Sequence, residues 1–154
     1  MKIQDIAAFA TVREAGLAKL LPGKPRIAVG VGTCGSGNGA ESVLHAFSSE
    51  IDARGLAVQL ASVGCFGFCA EEPLVNVWVP GRPLLMLRRV QPNHVNDILH
   101  GLSQGDMPPA EIVLCKIEEW DHLTGHVKYG YGYPELRHWH EVPFFKGQVK
   151  IVLR

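Results

Sequence analysis

The side chains best equipped for chemistry in this chain are cysteines. Cys65 and Cys69 stand in the run Gly64-Cys65-Phe66-Gly67-Phe68-Cys69-Ala70-Glu71-Glu72-Pro73, spaced C-x3-C, and are two of the four cysteines present. Thiolates grouped in this way can hold a metal cluster, act as a redox dithiol, or pack as inert thiols in a core. A redox dithiol favours C-x-x-C at a helix N-terminus, where the dipole lowers the thiol pKa. Here the spacing is one residue longer and a strand-like run follows. Cys34 is the third participant, because it too closely follows a strand-like run. Cys115 stands alone in a later segment and reads as structural.

The elements that must position these thiols follow from periodicity. Apolar residues from Ile3 to Leu20 recur at helical spacing and stop at Pro22-Gly23. Arg26 to Val31 is short and β-branched, a buried strand, and the glycine-rich Gly32 to Gly39 turns the chain sharply. Ala40 to Arg54 is an amphipathic helix with Gly55 as its C′ residue. Further strands are expected at Leu56 to Val63, Leu74 to Val79 and Leu84 to Val90, the last two forming a hairpin around Pro80-Gly81-Arg82-Pro83. Pro92 opens a short helix ended by Gly101. The order helix, β, α, β, β, β, α predicts an α/β domain of thioredoxin type, a mixed four-stranded sheet with flanking helices. Gly30, Gly32 and Gly35 fit G-x-G-x-x-G, but one such match in a glycine-rich segment is weak, and no lysine follows Gly39 as a Walker loop needs. Nucleotide binding by this domain is not expected.

The chain has 154 residues, 47% of them hydrophobic, and a formal net charge of zero. That suits one domain with a real core and offers no electrostatic recruitment of nucleic acid or of an anionic membrane. The N-terminus lacks the apolar core of a signal peptide, and no apolar run reaches the roughly 20 residues that cross a bilayer. A cytoplasmic protein without membrane insertion is expected, and there grouped cysteines more often mean metal or catalysis than disulfides.

Residues 1–102 are read as the domain and residues 103–154 as linker and extended C-terminal tail. Ser103 to Pro109 is linker by composition, Glu111 to Ile117 is one more extended segment, and Glu118 to Pro143 has no apolar period. His122 and His126 would suit zinc on a helix, yet Leu123-Thr124-Gly125 is poor helix; with His138 and His140 they read as surface or partner-facing residues. Tyr129-Gly130-Tyr131-Gly132-Tyr133 reads either as a sticky loop for a protein surface or as an ordinary loop. Phe144 to Arg154 stays strand-like, as in a chain that continues or needs a partner surface.

Two anchors carry a resemblance. Val31-Gly32-Thr33-Cys34 leads through Gly39-Ala40 into a helix, and Gly64-Cys65-Phe66-Gly67-Phe68-Cys69 runs into Glu72-Pro73-Leu74-Val75. Together they resemble the thioredoxin-like 2Fe–2S ferredoxin domains of NADH dehydrogenases. The version they resemble more closely is fused to the N-terminus of the flavin-binding, NADH-oxidising subunit in bacterial complex I and related hydrogenases and formate dehydrogenases. Pro143 to Arg154 resembles the entry to the flavin domain of that subunit. The resemblance implies an electron-transfer module with a 2Fe–2S cluster near Cys34, Cys65 and Cys69. It implies partners among the other subunits of an NADH-oxidising complex and a protein electron carrier. FMN and NADH sites belong to the following domain, so this chain alone is not expected to oxidise NADH.

The family pattern is C-x4-C after the first strand, then C-x3-C. Cys65 and Cys69 match the second pair and Cys34 one member of the first. The missing partner falls at Val29, or at Gly39 if Cys34 is the first member. Ser36, Asn38, His45 and Cys115 are the other candidate donors, and a cluster-free docking domain is the alternative function. If a cluster binds, Gly64 and Gly67 are expected to let backbone N–H groups turn toward sulfur.

Overall fold

The computed structural model describes residues 6–65, 67–122 and 125–148. Short aliphatic runs build a five-stranded sheet in the order β2-β1-β3-β4-β5. Its strands are β1 (Arg26–Gly30), β2 (Gln59–Val63), β3 (Val75–Trp78), β4 (Leu84–Leu87) and β5 (Val113–Ile117). β1 and β2 are parallel, since α3 (Ala40–Arg54) crosses over between them, whereas β1–β3, β3–β4 and β4–β5 are antiparallel. The four expected strands are present, and the extended segment after the linker adds a fifth at the β4 edge.

Alternation along the strands sends two sets of side chains to two faces. On one face Ile27, Val29, Val75, Val77, Leu85 and Leu87 pack beneath α3 and α4 (Val95–Gln104). Val43 and Phe47 of α3 and Ile98 and Leu99 of α4 complete that core. The other face carries Trp78, Leu84, Met86, Cys115 and Ile117. It is covered by the aromatic side chains of residues 120–145, among them Trp120, Tyr129, Trp139, Phe144 and Phe145. Both sides of the sheet are therefore covered, and the thiol loops emerge at its end.

Several boundaries differ from expectation, each for a physical reason. The expected first helix is α1 (Ile6–Leu20), with no buried residue and with Ile6 and Phe9 exposed; the residues before Ile6 lie outside the described ones. The glycine-rich turn contains a short helix, α2 (Thr33–Gly37), hidden in the sequence by its small and glycyl positions. β4 stops at Leu87 because the chain turns at Arg89, whose φ is 49°, to hydrogen-bond Glu71. Gly101 does not end α4. It is buried inside the helix, where a Cβ would stand 3.2 Å from the Asp106 carbonyl oxygen, and Gly105 in the left-handed region caps the end instead. Ser103 and Gln104 therefore belong to the helix and not to the linker.

Beyond β5 the chain forms a hairpin of β6 (Glu119–His122) and β7 (Gly125–Lys128). His122 and His126 thus lie on strands, and the helical zinc pair is not formed. Of the three tyrosines in the following loop, Tyr131 is exposed, while Tyr133 packs on the first core under the Arg82 guanidinium and Tyr129 packs on the second. Pro143 starts a helical turn, α5 (Pro143–Lys146), where a strand was expected, because proline pre-sets the first helical position. The final segment 149–154 lies outside the described residues.

Candidate metal centre

Topology brings the thiol loops together. β2 runs parallel to β1, so both strands finish at the same end of the sheet, and antiparallel β3 starts there. Val31 donates to the Val63 carbonyl at 2.9 Å and Gly30 to the Leu74 carbonyl at 2.9 Å, zipping that end shut. The turn after β1 then touches the loop after β2. A Cβ on Gly32 would lie 2.9 Å from the Cβ of Cys65, closer than real carbon atoms pack. Gly35 folds α2 back over β1 so tightly that a Cβ there would overlap the Gly30 carbonyl oxygen.

Cys34 rides on α2 at this junction, half-buried, and Cys65 and Cys69 are exposed. The Cys69 thiol is within interaction range of both other thiols: Cys34 pushes its pKa up, and Cys65 opposes that push. At Cys65 the largest single influence is the Gly67 N–H, which donates to the sulfur at 3.1 Å and favours the thiolate. Burial, Glu72 and Cys69 together outweigh it and leave the thiol pKa above its usual value. Gly67 has a φ of 85°, open to glycine at no steric cost, and this is what aims its N–H at sulfur. The expectation for Gly67 is met.

The loop is anchored behind the thiols by two glutamates. Glu71 forms ion pairs with Arg89 at 3.0 Å and Arg88 at 3.5 Å, and its carbonyl accepts from the Arg89 N–H at 2.9 Å. Glu72 precedes a cis proline and is 6% exposed, unusual for a carboxylate. Its Oε2 accepts from the Leu74 N–H at 2.7 Å. Its Oε1 is fully buried with no hydrogen-bond partner, although the carboxylate faces the Cys65 sulfur. The same carboxylate stands 3.5 Å from where a Cβ on Gly30 would be and 3.3 Å from one on Gly35. In sequence Glu72 belongs to the second anchor but is not among the candidate donors. Nothing local separates it there from its neighbour Glu71, except its place directly beside Pro73.

The other candidate donors are engaged elsewhere. Val29 is fully buried beneath α3, and Gly39 caps that helix with open space around it. Ser36 donates to the Val31 carbonyl or the Glu41 carboxylate, and Asn38 donates to the Cys34 carbonyl at 2.7 Å. His45 is exposed on α3. Cys115 is buried opposite Met86 on the second face, and burial pushes its pKa up to about 12, so it stays a thiol. His138 and His140 stand with ring centroids 4.2 Å apart, and burial followed by the His140 charge lowers the His138 pKa. Among the described residues no three His, Cys, Asp or Glu side chains are grouped to hold a single metal ion. A 2Fe–2S cluster poses a different requirement, two ligands on each of two irons.

Solved structures share this architecture. A thioredoxin-like [2Fe-2S] ferredoxin from Aquifex aeolicus is similar over 60% of this chain and 92% of its own, with 23% identity and a TM-score of 0.52. The fold is that of a thioredoxin-like ferredoxin. A second, wild-type structure of the Aquifex ferredoxin is similar at 20% identity and a TM-score of 0.50, over 59% of this chain and 96% of its own. No protein-family model matches the chain, and no curated protein sequence matches it. In this chain Cys34, Cys65 and Cys69 lie at the sheet end that β1, β2 and β3 share. Among the described residues no helix is long and apolar enough to cross a membrane.

The glycine contact gives a direct test of this convergence. Gly32→Val should drive the two loops apart and destabilise the fold by about 1–3 kcal/mol, the usual range for overpacking. Gly37→Ala is the control, since a Cβ there meets nothing within 4 Å. Urea denaturation of both variants checks it: only the first midpoint should fall.

Proposed function

We propose that this chain is the electron-transfer module of an NADH-oxidising complex, holding a 2Fe–2S cluster through Cys34, Cys65, Cys69 and Glu72. The observation that carries this is the meeting of three thiols at one end of a ferredoxin-type sheet. The donor set passes a test of fit at Glu72. A buried carboxylate oxygen without a partner costs about 1–3 kcal/mol, more when charged, and a cation beside Cys65 would remove that cost. Carboxylate is a harder donor than thiolate, but incomplete thiolate sets are compatible with iron, as histidine-ligated centres show.

When bound, such a cluster takes up and passes on single electrons. The chain's own residues set the conditions. Leu74 N–H fixes the orientation of the Glu72 carboxylate beside Cys65. The Gly67 N–H favours negative charge on the Cys65 sulfur, the kind of contact that tunes a cluster's potential. Exposure of Cys65 and Cys69 keeps the site at the surface, where electrons pass to and from a protein carrier. The neighbouring subunits and an FMN- and NADH-binding domain after this one are the partners in this reading.

Protein isolated without oxygen from cluster-competent cells should be brown, with iron and labile sulfide each about two per chain. A colourless, iron-free preparation would overturn the reading in favour of a cluster-free docking domain that joins the flavin subunit to its partners. Glu72→Gln keeps the shape and removes the anionic donor. It should weaken cluster retention against a chelator by at least roughly 10–100-fold, the loss seen when a group that only orients a ligand is removed. Unchanged retention would leave the three thiols and remove Glu72 from the set.

A further inference from the structure

The two outer strands of the sheet end differently. On β5, Lys116 donates its backbone N–H to the Arg137 carbonyl at 2.9 Å and pairs with His138, so the returning chain closes that edge. β2 stands at the other end of the strand order, and among the described residues no strand pairs with its outer side. Gln59 donates to the Pro25 carbonyl at 2.8 Å, and the Val63 carbonyl accepts from Val31 at 2.9 Å. The backbone groups of Gln59, Ala61 and Val63 therefore turn inward to β1, and alternation turns the N–H and C=O of Leu60 and Ser62 outward. No residue of β2 is buried, whereas every residue of β3 and β4 is.

Exposed edges are usually blunted by lysine, proline or a bulge. Gln59-Leu60-Ala61-Ser62-Val63 has no charge and no proline, and its register with β1 runs without a bulge. A second uncovered feature adjoins this edge. α1 buries none of its residues, and Ile6 and Phe9 are two of the three large apolar side chains exposed among the described residues. The C-terminal turn of α1 is tied to β2, since Gln59 Nε2 donates to the Lys19 carbonyl at 3.2 Å.

We propose that the outer edge of β2 pairs, antiparallel, with β2 of a second copy of this chain about a two-fold axis at Ala61. In that register Leu60 and Ser62 of one copy exchange backbone hydrogen bonds with Ser62 and Leu60 of the other, so their outward N–H and C=O groups are all met. Ala61 meets Ala61 in the narrow, non-hydrogen-bonded position, where Cα atoms stand about 4.5 Å apart and small side chains fit. Charge favours a like partner. β2 has no charge to repel its copy, and the formal net charge of zero removes long-range repulsion between two chains. The axis places α1 of both copies on the same side of the joined sheet and the thiol loops at opposite ends of the paired strands, each open to its own partner. The contact uses no cysteine and does not depend on a cluster.

Sedimentation of the whole chain under reducing conditions, over a range of concentrations, tests the proposal together with amide exchange. A reversible dimer is expected. Its Leu60 and Ser62 N–H groups gain protection as concentration rises, while Ala61, whose N–H faces β1 in either state, does not change. Ser62→Pro deletes only an outward N–H, which an edge strand tolerates, and should weaken the dimer at least roughly tenfold with the fold retained. Ala61→Lys sets like charges directly opposite each other and should weaken it as well, so the test stands even if the proline variant fails to fold. A chain that stays monomeric overturns the proposal. So does a dimer in which Leu60 and Ser62 exchange as fast as in the monomer, or one that Ala61→Lys leaves intact.

Discussion

A Cys65→Ser variant should lose nearly all of its iron, from about two per chain toward zero. Cys65 has the Gly67 N–H on its sulfur and Cys69 and Glu72 beside it. A serine oxygen is shorter and harder than sulfur and binds iron strongly only when deprotonated, which its high intrinsic pKa resists. Cys115→Ser is the matched control. Cys115 lies buried across the sheet, so its substitution should leave the iron content intact and cost stability, by placing a hydroxyl in an apolar environment. Iron analysis and thermal melting of the two variants should therefore give opposite results. Equal iron loss in both would mean that Cys65 acts through general stability and not as a ligand.

Phe47→Ala should cost more stability than either Gly32→Val or Cys115→Ser. Phe47 is fully buried in α3, in the core beneath which Ile27, Val29, Val75 and Val77 lie. Truncating a buried phenylalanine costs about 3–5 kcal/mol through lost transfer energy and the cavity left behind. Domains of this size have roughly 5–15 kcal/mol in hand, so about a fifth or more of the stability is at stake. Urea denaturation should show a lower midpoint at an unchanged slope. A metal group that binds only the folded chain would raise the midpoint of both proteins, so the comparison belongs on metal-free samples.

The strands and α3 were legible because their signals are local. β-branched runs mark β1 and β3, and Gly55 marks the end of α3 at the position where the chain enters a left-handed conformation, φ 60°. The C-x3-C loop and Cys34 could be paired on paper because strand order alone decides which ends of the sheet are neighbours. The burial of Glu72 was not legible, since it depends on packing against Gly30 and Gly35, segments about 40 residues apart along the chain by its own numbering. Gly101 reads wrongly as a helix end because a buried glycine packed on Asp106 and a terminal glycine look alike in sequence. The region after Glu118 hid its hairpin for another reason: β6 and β7 are short, and the segment's large side chains are spent covering the second sheet face, so no single period runs through it.

The ring of Phe68, between the two loop cysteines, stacks on Phe144 of α5 with centroids 4.0 Å apart and planes 5° from parallel, while Phe145 meets it edge-on at 6.0 Å. Phe68, Phe144 and Phe145 also pack on the second sheet face, where Trp139 meets Phe145 at 6.0 Å. The thiol loop is thus built into the aromatic layer that covers the sheet, so the position of Cys69 depends on packing made by residues more than 70 places further along the chain.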